Sequence, residues 1–159
     1  MTEPPIRLED PAATVALGRR LALRLLPLCA PGQAPLLLLQ GDLGAGKTCL
    51  VQGLAAGLGI DEPITSPSFA LAHHYSGRCQ GRDTHLVHLD LYRLEDPAAA
   101  DELLAQEEEE ALGLGAVLAV EWPGRLRVLP EPAWRLRLAW LEEGDPQAGR
   151  LAWVSPPAG

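Results

Sequence analysis

Eight consecutive residues, Gly41-Asp42-Leu43-Gly44-Ala45-Gly46-Lys47-Thr48, hold the densest chemistry in this chain. The glycines permit backbone angles and close approaches that side chains would block. Successive amides from Leu43 to Thr48 can then converge on an anion, and a helix beginning at Lys47 adds the positive end of its dipole. Lys47 offers a compact ammonium and Thr48 a hydroxyl suited to Mg²⁺. The spacing Gly-x-x-x-x-Gly-Lys-Thr is that of a phosphate-binding loop. It predicts a nucleotide contact set of Asp42, Leu43, Gly44, Ala45, Gly46, Lys47, Thr48 and Cys49. Lys47 is the single lysine beside twelve arginines. A planar guanidinium replaces it poorly in a loop that needs a point charge.

A Mg²⁺-nucleotide site also needs a carboxylate at the end of a neighbouring buried strand. Two positions qualify: Asp90 after Leu86-Val87-His88-Leu89, and Glu121 after Val117-Leu118-Ala119-Val120. The alternative reading of each is a plain strand-end charge. With Lys47 they form the candidate catalytic set. Thr65, Ser66 and Ser68 stand where a switch-like segment could sense a terminal phosphate, although hydroxyls beside proline are ordinary turn residues. Trp122 either lines the site or packs. His88 is expected on a packed or partly wet face, and His73, His74 and His85 show no ligand spacing.

The elements that must position these groups follow from periodicity. Residues 11–27 space Val15, Leu17, Leu21, Leu25 and Leu26 as a helix does, with Pro27 as a stop. Residues 35–40 form a short apolar strand, buried on both faces, that feeds the glycine loop. A helix follows from Lys47 to about Leu58. A strand is predicted from Phe69 to about Tyr75, a turn-like polar stretch from Gly77 to Asp83, and a strand from His85 to Asp90. A helix over Asp96–Leu112 carries the acidic run Glu107–Glu110, expected to be a solvated face. A strand runs from Gly115 to Val120, and the tail alternates as an antiparallel hairpin over 134–141 and 150–154. The fold class is α/β: a three-layer P-loop NTPase fold with a mostly parallel central sheet and a C-terminal antiparallel hairpin, in one domain over residues 1–159.

Composition narrows the partners. The 159 residues are 47% apolar and carry a net charge of −8, so unaided grip on nucleic acid is not expected. Cys29, Cys49 and Cys79 make no Cys-x-x-Cys pair and read as reduced thiols. The acidic, proline-bearing start is unlike a signal peptide, and no apolar run is long enough to span a bilayer. A cytoplasmic protein without membrane contact, monomeric when free, is the expectation.

Four blocks, 41–48, Thr65-Ser66-Pro67-Ser68-Phe69, His88-Leu89-Asp90-Leu91-Tyr92-Arg93 and Val120-Glu121-Trp122-Pro123, fall in an order and spacing that resemble the TsaE (YjeE) family. That family is the ATPase of bacterial tRNA threonylcarbamoyladenosine biosynthesis. The resemblance covers nearly the whole chain, including Thr14-x-x-Leu17-Gly18 and Gly149-Arg150. It implies ATP hydrolysis with Mg²⁺ in support of threonylcarbamoylation of adenosine 37, in tRNAs reading codons that begin with A. The partner it implies is the TsaB–TsaD pair, with tRNA met only through that pair. By position it assigns Thr48 and Glu121 to Mg²⁺ and Asp90 to the terminal phosphate or the attacking water. It places Pro11, Thr14, Gly149 and Arg150 beside the base and ribose, and makes Thr65 to Phe69 a switch-like segment. Ser68 stands where the family usually has Thr, and Gly124 where a polar residue is common.

An Asn-Lys-x-Asp guanine motif is absent, since the chain has no Asn. ATP is therefore favoured over GTP. Arg93 and Arg150 are the nearest candidates for an arginine finger, and each reads more readily as structural. Slow intrinsic turnover is the expectation. Two rivals stay open: a small-molecule kinase with Arg125-Leu126-Arg127 as a lid, and a nucleotide-gated binder that never hydrolyses ATP.

Overall fold

Leu36-Leu37-Leu38-Leu39 is apolar at every position because the strand it forms is covered on both faces. In the computed structural model, which describes residues 3–65 and 71–158, Leu37 and Leu39 enter one core and Leu36 and Leu38 a second. In chain order the elements are β1 (Ile6–Leu8), α1 (Pro11–Leu25), β2 (Leu36–Gln40), α2 (Lys47–Gly57), β3 (Ala72–Cys79), β4 (Arg82–Asp90), α3 (Pro97–Leu114), β5 (Val117–Glu121), β6 (Trp134–Glu142) and β7 (Asp145–Ser155). The sheet order is β1-β7-β6-β2-β5-β4-β3. The central pairs β6–β2, β2–β5 and β5–β4 are parallel, and the outer pairs are antiparallel. Leu17, Leu21, Leu50 and Leu54 of α1 and α2 pack on one face, and Ala100, Leu104 and Ala111 of α3 on the other. The three layers, the parallel centre and the β6–β7 hairpin are as the apolar patterning predicts.

The helix ends have local causes. Asp10 caps α1 by accepting from the Ala13 amide at 2.8 Å, with Pro11 in the first turn. Asp96 caps α3 in the same way through Ala98 at 3.0 Å, and Gly115 closes it in the left-handed region at φ 67°. Such caps contribute about 1 kcal/mol each. α1 stops at Leu25, and Pro27 lies in a 3-10 turn over Leu26–Leu28. α1 and α2 cross with backbones nearly touching: a Cβ on Gly18 would lie 2.3 Å from the Leu50 carbonyl, and one on Gly53 only 2.0 Å from that of Val15.

Two expectations are corrected. The stretch 77–83 is not a turn, because β3 and β4 pair through Cys79 and Arg82 and only Gln80 and Gly81 lie between them. Both take positive φ, 54° and 76°, the geometry of a two-residue hairpin turn. Polar residues continue the ladder there because the hairpin end is exposed; Arg78 bonds Asp83 across it at 2.6 Å. The acidic run is not wholly solvated either. Glu109 and Glu110 are exposed, whereas Glu107 accepts a hydrogen bond from His74 Nε2 at 2.6 Å. The short β1, pairing with β7 through Ile6–Leu8, has too few residues to show a period. Among the described residues no helix is long and apolar enough to cross a membrane.

Candidate nucleotide-binding site

Because β2, β4 and β5 are parallel, their carboxyl ends meet at one edge of the sheet, where open α/β folds bind ligands. The register sets Leu39 beside Glu121 and Glu121 beside Asp90. The loop after β2 bends back over these ends into α2. A cavity of about 760 Å³ opens there, a volume within the range of nucleotide-sized ligand sites.

Of the predicted residues, the cavity gathers Pro11, Thr14, Leu43, Gly44, Gly46, Lys47, Thr48, Cys49, Asp90, Glu121, Gly149 and Arg150. Pro11 and Thr14 arrive on the first turns of α1, Gly149 and Arg150 on β7, so segments far apart in sequence converge. Asp42 and Ala45 face elsewhere. They line an adjoining cavity of about 600 Å³ with Tyr92, Trp122 and Trp140. The Ala45 amide donates to Asp42 O at 3.0 Å. That amide therefore closes the loop's own turn, which corrects the expectation that every amide from Leu43 to Thr48 points inward. Thr65 is exposed and is not among the cavity's lining residues. Ser66, Ser68 and Phe69 lie outside the described residues.

The loop suits a phosphate chain. Gly44 and Gly46 adopt φ of 79° and 103°, a left-handed backbone that side chains rarely take, and Gly46 sits beside Thr14. Gly46 caps α2 with no side-chain hydrogen bond, so the positive end of the helix dipole opens toward the loop. Lys47 is 6% exposed; its Nζ donates to Gly41 O at 2.5 Å and lies 3.7 Å from the centre of the Trp122 ring. Burial holds its ammonium below the ordinary lysine range, against the opposing pull of Glu121, Asp90 and Asp42. A polyanion here would offset the hydration that burial takes from the ammonium. Arg150 ties β7 to the loop by donating to Gly44 O at 2.9 Å.

The two carboxylates differ. Burial pushes Asp90 above the usual aspartate range, the Tyr92 amide at 3.0 Å opposes this, and the charge on Glu121 adds to it. Glu121, 4% exposed, accepts a hydrogen bond from His88 Nε2 at 2.5 Å. Among the described residues no cluster of three or more His, Cys, Asp or Glu could hold an ion alone. A Mg²⁺ bound through Thr48 and Glu121 would thus take its remaining ligands from phosphate oxygens and water, as Mg²⁺ commonly does.

The lining also includes residues that the sequence leaves undecided or does not single out. Trp122 does both: it lines the cavity and packs against the α3-side core. It takes φ 59°, ψ 50°, a left-handed conformation that costs a bulky residue about 1–3 kcal/mol, and its ring meets Tyr92 at 4.8 Å. Leu8, Glu9, Asp10, Tyr92, Arg93 and Gln147 also line the cavity. His88 is fully buried. Its position two residues before Asp90 places both on one strand face, the only local hint of its importance. The loop 125–127 does not line the cavity: Leu126 enters the α3-side core, and Arg127 pairs with Asp101 at 3.6 Å.

Residues 8–148 match the family model described as "Threonylcarbamoyl adenosine biosynthesis protein TsaE". Curated proteins named tRNA threonylcarbamoyladenosine biosynthesis protein TsaE are similar along much of their length. That of Synechocystis sp. is 47% identical over 126 residues, covering 77% of this chain and 72% of the relative. That of Nostoc sp. is 44% identical over 112 residues, covering 70% and 67%. That of Mycobacterium bovis is 37% identical over 153 residues, covering 92% and 83%. Among solved structures, YdiB from Bacillus subtilis shares the fold with a TM-score of 0.68 at 24% identity, over 99% of this chain and 88% of that one.

Proposed function

Because the chain belongs to the TsaE family, whose curated members are named for tRNA threonylcarbamoyladenosine biosynthesis, we propose that it binds and slowly hydrolyses ATP in support of that modification. The modified base is adenosine 37 of tRNAs reading codons that begin with A. The supporting observation is the convergence of Lys47, Thr48, Asp90 and Glu121 on one cavity at the carboxyl edge of the parallel strands.

Each residue has a physical task. Lys47 and the first amides of α2 draw in the phosphates. Thr48 and Glu121 would hold Mg²⁺, which when bound supplies Lewis-acid charge to the phosphate oxygens. Asp90, whose carboxyl takes a proton more readily than an ordinary aspartate, accepts a proton from water beside the terminal phosphate. Pro11 and Thr14, with Gly149 and Arg150, border the base and ribose. The chain works as a soluble cytoplasmic monomer until it docks on the TsaB–TsaD heterodimer, meeting tRNA only through that pair. Of the two arginines that line the cavity, Arg93 and Arg150, Arg150 donates to the carbonyls of Gly44 and Gly149. The partners then complete or reorder the site and hydrolysis resets their complex.

A steady-state ATPase assay with and without TsaB–TsaD tests this reading. Slow turnover alone, stimulated by the pair and reduced by Asp90→Ala more than binding is, supports it. Full turnover alone with no stimulation, or no heat of mixing with Mg-ATP in calorimetry, refutes it.

A further inference from the structure

We infer that His88 is a positioning residue that holds the Glu121 carboxylate in the orientation required to bind the divalent cation. The inference rests on the nucleotide reading above and concerns how this chain prepares its own ligand. Glu121 ends β5 beside Asp90, and its carboxylate reaches back one pleat to His88, whose strand partner Ala119 is small enough to leave it room. The two side chains are 5% and 0% exposed and meet at 2.5 Å through Nε2 and Oε2. Against an ionised carboxylate the ring bonds through a proton on Nε2, so one carboxylate oxygen is engaged and the other is left for the cavity that Glu121 lines. The remaining ring nitrogen, Nδ1, is buried with no partner among the described residues. The ring therefore makes its one polar contact to Glu121, which is how an outer-shell partner restricts a ligand's rotation.

The test uses the full chain, a fluorescent ADP analogue and Mg²⁺ titration, with Mn²⁺ binding by electron paramagnetic resonance as a second readout. His88→Leu should raise the Mg²⁺ and Mn²⁺ half-saturation about 10- to 100-fold, while nucleotide affinity in EDTA changes less than about twofold. His88→Gln, whose amide nitrogen stands near Nε2, should restore the wild-type requirement, whereas His88→Asn, with its amide near Nδ1, should not. In a Glu121→Gln background His88→Leu should add nothing further. An unchanged metal requirement in His88→Leu, equal behaviour of the Gln and Asn variants, or additive effects with Glu121→Gln overturns the inference. If His88→Leu does not fold, the Gln–Asn comparison decides. A wild-type chain that binds the nucleotide with no metal dependence overturns the Mg²⁺-nucleotide reading itself, a result separable from any His88 variant.

Discussion

Gly53→Ala tests how the cavity is built. Gly53 faces α1, and its added Cβ would lie 2.0 Å from Val15 O and 2.8 Å from Val15 C. Contacts shorter than 3.0 Å are essentially unknown for real Cβ atoms. The obstacle is main chain, so no side-chain rotation relieves it, and the helices must part by about 1 Å or more. Overpacking of this kind costs typically about 1–3 kcal/mol, here toward the upper end. Replacing glycine within a helix returns about 1 kcal/mol through propensity. The net expectation is a loss of about 2 kcal/mol, or about 4–8 °C in Tm for a chain of this size. Gly113→Ala is the matched control: it lies in α3 with nothing within 4 Å of its Cβ, so propensity alone should hold or raise Tm. Thr14 on α1 and the glycine loop leading into α2 both line the cavity, so nucleotide affinity should fall with Gly53→Ala as well. Thermal melting by circular dichroism reads the first effect and fluorescent-nucleotide titration the second. If Gly53→Ala melts at or above the wild-type temperature, the close crossing does not hold the helices as described.

Three further outcomes are expected. Lys47→Ala removes charge-assisted bonds of about 1.5–3 kcal/mol and should weaken ATP binding about 10- to 100-fold in calorimetry; unchanged affinity refutes its role. Asp90→Asn should raise Tm at neutral pH while lowering hydrolysis. A carboxyl whose folded pKa is raised is protonated preferentially in the folded chain, so stability falls as pH climbs from 3.8 through the raised value. Asparagine can keep the Tyr92 hydrogen bond without that loss, and a Tm that does not rise contradicts the assignment. Burial pushes the Cys29 thiol up to about 11, so stability should fall between pH 9 and about 11 in wild type and less so in Cys29→Ala, a difference read by chemical denaturation across that range.

The loop chemistry was legible because it is contiguous. Gly41 to Thr48 encode a turn, a helix start and a point charge within eight residues, and local backbone rules suffice to read them. The continuous apolar runs at Leu36–Leu39 and Val117–Val120 likewise announced strands covered on both faces, and hence three layers. Asp90 and Glu121 were legible as strand-end carboxylates for the same reason. The hairpin at Gln80-Gly81 was misread because polar residues at an exposed sheet end have no burial period, and only pairing reveals the ladder.

What tertiary structure alone decided is the set of partnerships across long separations. His88 and Glu121 lie on neighbouring strands 33 positions apart in sequence, and no periodicity couples them. Arg150 reaches Gly44 across 106 positions, and the Trp122 ring meets Lys47 only because β2 and β5 are neighbours. Composition and spacing determine which groups are present and which strand ends they occupy. Strand order and register determine which of those groups touch, and burial then sets the charge each one prefers.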